Sequence, residues 1–266
     1  MNHLVPAYLT PFILTGMIIV VTTLLFGLHR ALRRAAWTQT DRAKAFWRVS
    51  LLLIGWFGVA VGTSIAGLYA PGSGAAPTIQ YGLLIPIVVG LLLAQSWPLL
   101  RRTIEIIPND WLVGVQVYRV LGVIFLVLYV GGYLPAIFAL PAGIGDTLVG
   151  IFAPFVAGRF ASSPQGAARR VRLWNLLGIA DLVIAVTLGF LTSPSPLQVA
   201  AFDRPSGLVA MFPLVLIPVF AVPISILLHI ASLWKLRQDQ RTGHKALQAE
   251  RIRLSGEVKV KGAFQR

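Results

Sequence analysis

The sequence predicts an all-α integral membrane bundle of seven transmembrane helices, with the N-terminus outside and the C-terminus in the cytoplasm. Three observations carry this. Of 266 residues, 56% are hydrophobic and 12% charged, and the mean hydropathy is +0.78, far from the composition of a soluble domain. Seven apolar stretches reach the about 20 residues that a helix needs to cross a hydrocarbon core about 30 Å thick. When the loops are assigned alternately to the two faces, 21 of the 23 Lys and Arg residues fall on one of them. The positive-inside rule makes that face cytoplasmic.

The first segment, 8–29, follows MNHLVPAYLTP, which lacks the basic stretch of a secretory signal and runs into an apolar run too long for one, so it reads as a retained helix. The next loop carries six Lys and Arg residues and leads to segment two, 49–70; the uncharged turn PGSGAAP then leads to segment three, 78–99. RRTIEIIPNDWL mixes isoleucine with charge and is placed along the cytoplasmic interface. Segment four is 112–133, and the uncharged loop GGYLPAIFALP leads to segment five, 138–158, whose start is weakened by Pro141, Gly143 and Gly145. Arg159, Arg169, Arg170 and Arg172 precede segment six, 173–192. An outer loop, TSPSPLQVAAFDRPSG, leads to segment seven, 207–234, where Pro213, Pro218 and Pro223 each favour a bend. Residues 1–234 thus form the transmembrane domain. Residues 235–266 form a basic cytoplasmic tail drawn to anionic lipid headgroups.

Aromatic residues repeat this polarity. Trp37, Trp47, Trp97, Trp111, Trp174 and Trp234 fall at or near cytoplasmic ends, and Tyr8, Tyr69, Tyr81, Tyr129 and Tyr133 at or near outer ends. Both ring types prefer the headgroup boundary, and an even number of helices would scramble the pattern.

The net charge of +14 follows from loop topology, so nucleic acid is not an expected partner. With no cysteine, disulfides, thiolate metal sites and cysteine nucleophiles are excluded. HExxH and GxSxG motifs are absent, and the last segment has no lysine before Lys235 to carry a retinal Schiff base. Met1-Asn2-His3 offers only a weak copper or nickel motif. No cofactor or metal is expected, and no motif commits the chain to enzymatic chemistry.

What stands out is the charge inside the apolar segments, which costs about 2.5–3.5 kcal/mol per residue on insertion scales and usually faces the bundle interior. The set is Arg119 in segment four, Asp146 in five, Asp181 in six and His229 in seven, with Gln80, Gln95, Gln116 and Asn175 nearer the boundaries. Both acids close a Gly-Ile-small-Asp sequence. Helical spacing puts Asp146 on a face with Gly143, Gly150, Ala153 and Ala157, and Asp181 on one with Gly178, Ala185 and Gly189. Small residues let helices approach closely in lipid, so each acid belongs on a packing seam. Segments one and two carry almost nothing polar and read as lipid-facing or scaffold elements.

At 1.5 Å per residue, Asp146 lies roughly 12 Å below the outer edge, Asp181 roughly 12 Å above the inner edge and Arg119 roughly 10 Å above that inner edge. Arg119 and Asp181 are therefore expected to pair. Asp146 is expected without a basic partner at its depth, either as a proton carrier or as a protonated carboxyl bonded to a neighbour. His229 is placed near the cytoplasmic end, solvated or exchanging protons there. The resulting expectation is a multi-pass protein of the cell (plasma or inner) membrane, acting as a small proton-coupled transporter or permease. Asp146, Asp181, Arg119 and His229 would bind the proton or substrate, and the bilayer and a small molecule or ion would be its partners. The alternatives are a non-catalytic sensor or assembly subunit and a lipid-modifying enzyme using the carboxylates as acid and base.

Overall fold

The computed structural model describes residues 5–70 and 78–240. The N-terminal Met-Asn-His, the PGSGAAP turn and the tail beyond 240 lie outside the described residues. Regular structure among the described residues is helical throughout, and seven helices are long and apolar enough to cross a membrane. In chain order, spans one to seven are Leu9–Arg34, Gln39–Ile65, Ile79–Ser96, Asn109–Val130, Ala136–Ser162, Gly166–Thr192 and Ile217–Gln240.

Span six starts at Gly166 rather than 173, its charged first turns being helical too, and three other elements depart from the expected segments for local reasons. Span two starts at Gln39, well before 49, because the Thr38 side chain accepts the backbone N–H of Asp41 at 3.1 Å and caps a charged first turn that extends beyond the apolar run. Span four is not uniform. It joins an α-turn at Asn109–Gly114, a 3-10 stretch at Val115–Gly122 and an α-helix at Val123–Val130. Span seven begins at Ile217 rather than 207: Gly207–Ala210 makes a separate 3-10 turn, and Ile217–Ala221 opens the span with a wide π turn containing Pro218. A wide turn accommodates the missing donor and the proline ring.

RRTIEIIPNDWL folds in part as a separate short helix, Pro98–Ile106, with Thr103 buried and Arg101, Arg102 and Glu105 exposed. Its start is set by extended Trp97 followed by Pro98 in the first turn, where a proline loses no intrahelical bond.

The packing decides between the two readings of span one in favour of a scaffold element. Leu9, Ile13, Met17 and Val20 on it are buried, and Gly16 lies directly against Leu121 of span four. One face of span one therefore packs in the protein core, while Ile18, Ile19 and Phe26 on another face are exposed. Spans two and three are the outer elements, with Leu51, Leu84 and Leu92 exposed. Trp56 and Phe57 of span two rest on Phe220 of span seven, ring centroids 5.0 and 4.9 Å apart. Spans four, five and six pack closely along the small-residue seam. Gly143, Asp146, Gly150, Ala153 and Ala157 of span five are all buried, the face that their spacing defines.

Candidate functional site

A 3-10 helix turns every three residues, so side chains at i and i+3 eclipse. In Val115–Gly122 this aligns Gln116, Arg119 and Gly122 on one face, and all three are buried. Arg119 is thereby aimed from span four at spans five, six and seven.

Its guanidinium is shared between both acids. Nε of Arg119 donates to Oδ1 of Asp146 at 2.8 Å, and one terminal nitrogen lies 2.7 Å from that oxygen and 2.5 Å from Oδ2 of Asp181. The other terminal nitrogen donates to the Gly178 carbonyl at 3.2 Å and to Nε2 of His229 at 3.0 Å. A guanidinium has no acceptor, so Nε2 of His229 is the bare nitrogen and Nδ1 carries the hydrogen. Nδ1 then donates to Oδ1 of Asn175 at 2.9 Å, and the Asn175 amide donates onward to Oγ of Ser232 at 2.9 Å and to the Val171 carbonyl at 2.8 Å. The imidazole in this chain is neutral. One cation therefore faces two carboxylates, at side-chain exposures of 11% for Asp146 and 15% for Asp181.

Glycines make the contacts fit. A Cβ at Gly122 would overlap Asp146, one at Gly145 would overlap the Asp181 carboxylate, and one at Gly178 would overlap the His229 ring. The two Gly-Ile-small-Asp sequences thus supply both the acids and two of the walls that hold their neighbours.

The expected Arg119–Asp181 pair is present. The expectation for Asp146 is corrected: Arg119 is its partner. Equal depth was the wrong criterion, because an extended arginine reaches across several ångströms of height. His229 is corrected too. It is fully buried, with Trp174 at 5.0 Å between ring centroids, and not solvated at a boundary. Asn175, placed near a boundary by the sequence, is also wholly buried.

Sequence reasoning missed Ser225 and Ser232. Ser225 exchanges a 2.7 Å hydrogen bond with Tyr118 of span four. A signal was there: Ser225, His229 and Ser232 recur at four and three residues, a polar stripe on one face of a helix. Single serines in apolar helices bond to their own backbone and attract little notice, as Ser225 does to the Ala221 carbonyl.

Asp146 borders two small cavities. One of about 30 Å³ lies among spans one, four and seven, beside Tyr118 and Ser225. The other, of about 70 Å³, extends to Ser193 just after span six and to Ser206 in the following loop. A water needs only about 10–15 Å³ of such space, so each has room for water beside the carboxylate. Among the described residues no group of three or more His, Asp and Glu side chains could hold a metal ion.

A family model described as Domain of unknown function (DUF8737) matches residues 76–237. That stretch holds spans three to six, span seven up to Arg237, and every residue of the Arg119 network. No curated protein and no solved structure matches the chain.

Proposed function

We propose, for a chain that belongs to the DUF8737 family, that it is a small proton-coupled transporter or permease of the cell membrane whose proton site is the Asp146–Arg119–Asp181 bridge. The observation that supports this reading is one guanidinium held by two carboxylates from different spans beside water-sized cavities. With both acids ionised and His229 neutral, the site carries one net negative charge inside an apolar bundle. Such a charge is costly unless compensated. One bound proton balances it. Either carboxylate then becomes neutral and releases Arg119 to the other, so protonation changes which span the arginine ties down. This links proton occupancy to the contact between spans five and six, the kind of two-state element that coupling requires. His229, Asn175 and Ser232 continue the hydrogen-bonded line away from Arg119 and fix the guanidinium in place; a guanidinium does not release a proton, so the route for the proton is water in the cavities that border Asp146.

The non-catalytic sensor or assembly subunit remains the second reading, favoured by one fact: every nitrogen of Arg119 already has a protein partner. Proteoliposomes holding a pH-sensitive dye distinguish the two. With an imposed potential and a panel of small solutes added outside, the wild type should show solute-dependent proton entry, and Asp146→Asn and Asp181→Asn should lose it while remaining folded. Proton entry that ignores every solute and both substitutions would leave the subunit reading standing.

A further inference from the structure

Spans two and three do not pack along each other. Span two leans on span one, and span three on the start of span seven. Between them lies an apolar cleft of about 850 Å³, within the about 300–1,000 Å³ of small-molecule sites, its walls formed by residues such as Leu28, Trp56 and Gly90. It does not include Arg119, Asp146 or Asp181.

The dimensions of this cleft match one bilayer leaflet. On span three its lining runs from Ile85 to Gln95, about 15 Å at 1.5 Å per residue. That is half of a hydrocarbon core about 30 Å thick. The shallow end is closed by the short helix Pro98–Ile106 and carries positive charge: Arg101, its side chain 55% exposed, sits over the Trp234 ring at 5.9 Å, with exposed Arg102 beside it. The helix is pinned there by Lys235, whose Nζ donates to the Glu105 carbonyl at 2.5 Å. Glu105 lies 3.4 Å from Arg101, and Asp110 and Asp239 act with it on Lys235; at the mouth of the cleft Arg101 and Arg102 stand against Glu105, one net positive charge.

We infer that this cleft holds one anionic phospholipid, an acyl chain lying between spans two and three and the phosphate at Arg101. An apolar slot of leaflet depth with a cationic aromatic rim complements the tail and headgroup of such a lipid. Neither a water-soluble ligand nor a neutral lipid would use both features. The inference is independent of the transporter reading, since the cleft does not reach the carboxylates.

Native mass spectrometry of the full chain in detergent tests it, with phosphatidylglycerol and phosphatidylcholine of identical acyl chains added in competition. One phosphatidylglycerol per chain should be retained. At about 1 kcal/mol per basic residue near an anionic surface, the preference over phosphatidylcholine should be about fivefold and should vanish in Arg101→Gln. Ala94→Trp, which fills the cleft, should release the lipid. Leu176→Trp, on the exposed face of span six, should retain it. Should Ala94→Trp fail to fold, phosphatidylglycerol brominated on its tails supplies the second measurement: one equivalent should quench wild-type fluorescence, and Trp56→Phe should remove part of that quenching. Equal retention of both lipids by the wild type and Ala94→Trp would overturn the inference in favour of ordinary surrounding lipid. A dimer that Ala94→Trp dissociates would overturn it in favour of a second copy.

Discussion

Removing one carboxylate leaves Arg119 with the other; removing both leaves a buried guanidinium with none. Asp146→Asn and Asp181→Asn should therefore each cost about 1.5–3 kcal/mol, the worth of a hydrogen bond to a charged group. The double variant should lose about 1–3 kcal/mol more than their sum, because the two acids share one partner. Adding Arg119→Gln should restore part of the loss. Thermal unfolding of the set in one detergent measures this, and strict additivity would mean that the acids do not act through Arg119. The glycines give a second residue-scale prediction. Gly145→Ala and Gly178→Ala drive a methyl into Asp181 and His229 and should each cost about 1–3 kcal/mol by overpacking. Gly58→Ala on span two meets nothing within 4 Å and should leave the melting temperature unchanged or slightly raised. At this scale the sequence was informative about identity and poor about geometry. Four charged or titratable residues in apolar segments announced themselves, but the reach of Arg119 to both acids depends on tertiary placement that helical depth does not encode.

Among the elements, span four departs furthest from its sequence pattern. An apolar run such as VQVYRVLGVIFLVLYV carries no mark that distinguishes α from 3-10 winding, since both satisfy the backbone locally. Yet only the second brings Gln116, Arg119 and Gly122 into one eclipsed row, whereas in an α-helix each step of three residues drifts around the axis. The 3-10 stretch brings Gln116 into the interior, where neither its amide nitrogen nor its oxygen has a hydrogen-bond partner in the protein. A buried unpaired amide costs about 1–3 kcal/mol, so Gln116→Leu should raise the unfolding temperature. A fall would show that Gln116 is satisfied by bound water or solute. Span seven was more legible: three prolines in its sequence foretold an irregular segment. The structure puts Pro213 before the helix, Pro218 in its π turn and Pro223 just after.

At the scale of the molecule, the seven-helix count was legible because it needs only length and hydropathy. The division of labour among the helices was not. Segments one and two, which carry almost nothing polar, read alike as lipid-facing or scaffold, but burial in a membrane protein depends on which neighbours surround a helix: span one is a scaffold element whose Ile13 and Met17 line the cavity beside Asp146, and span two is largely exposed. Orientation is a prediction at this scale, resting on the 21 basic residues assigned to one face. Reporter fusions at the C-terminus should read cytoplasmic and fusions near Ser195 external; a C-terminus found outside would overturn this orientation.

The central claim is a charge count, two acids against one cation with a single proton making up the difference, and infrared difference spectroscopy across a pH titration reads that proton directly. In lipid, the wild type should show one carboxylic C=O band per chain. Either single Asn variant should lose it, because the remaining acid then pairs with Arg119 as a carboxylate. No band in the wild type, or a band that persists in both variants, would contradict the account: the bridge would then be a fixed ionic tie, or the proton would reside on another group.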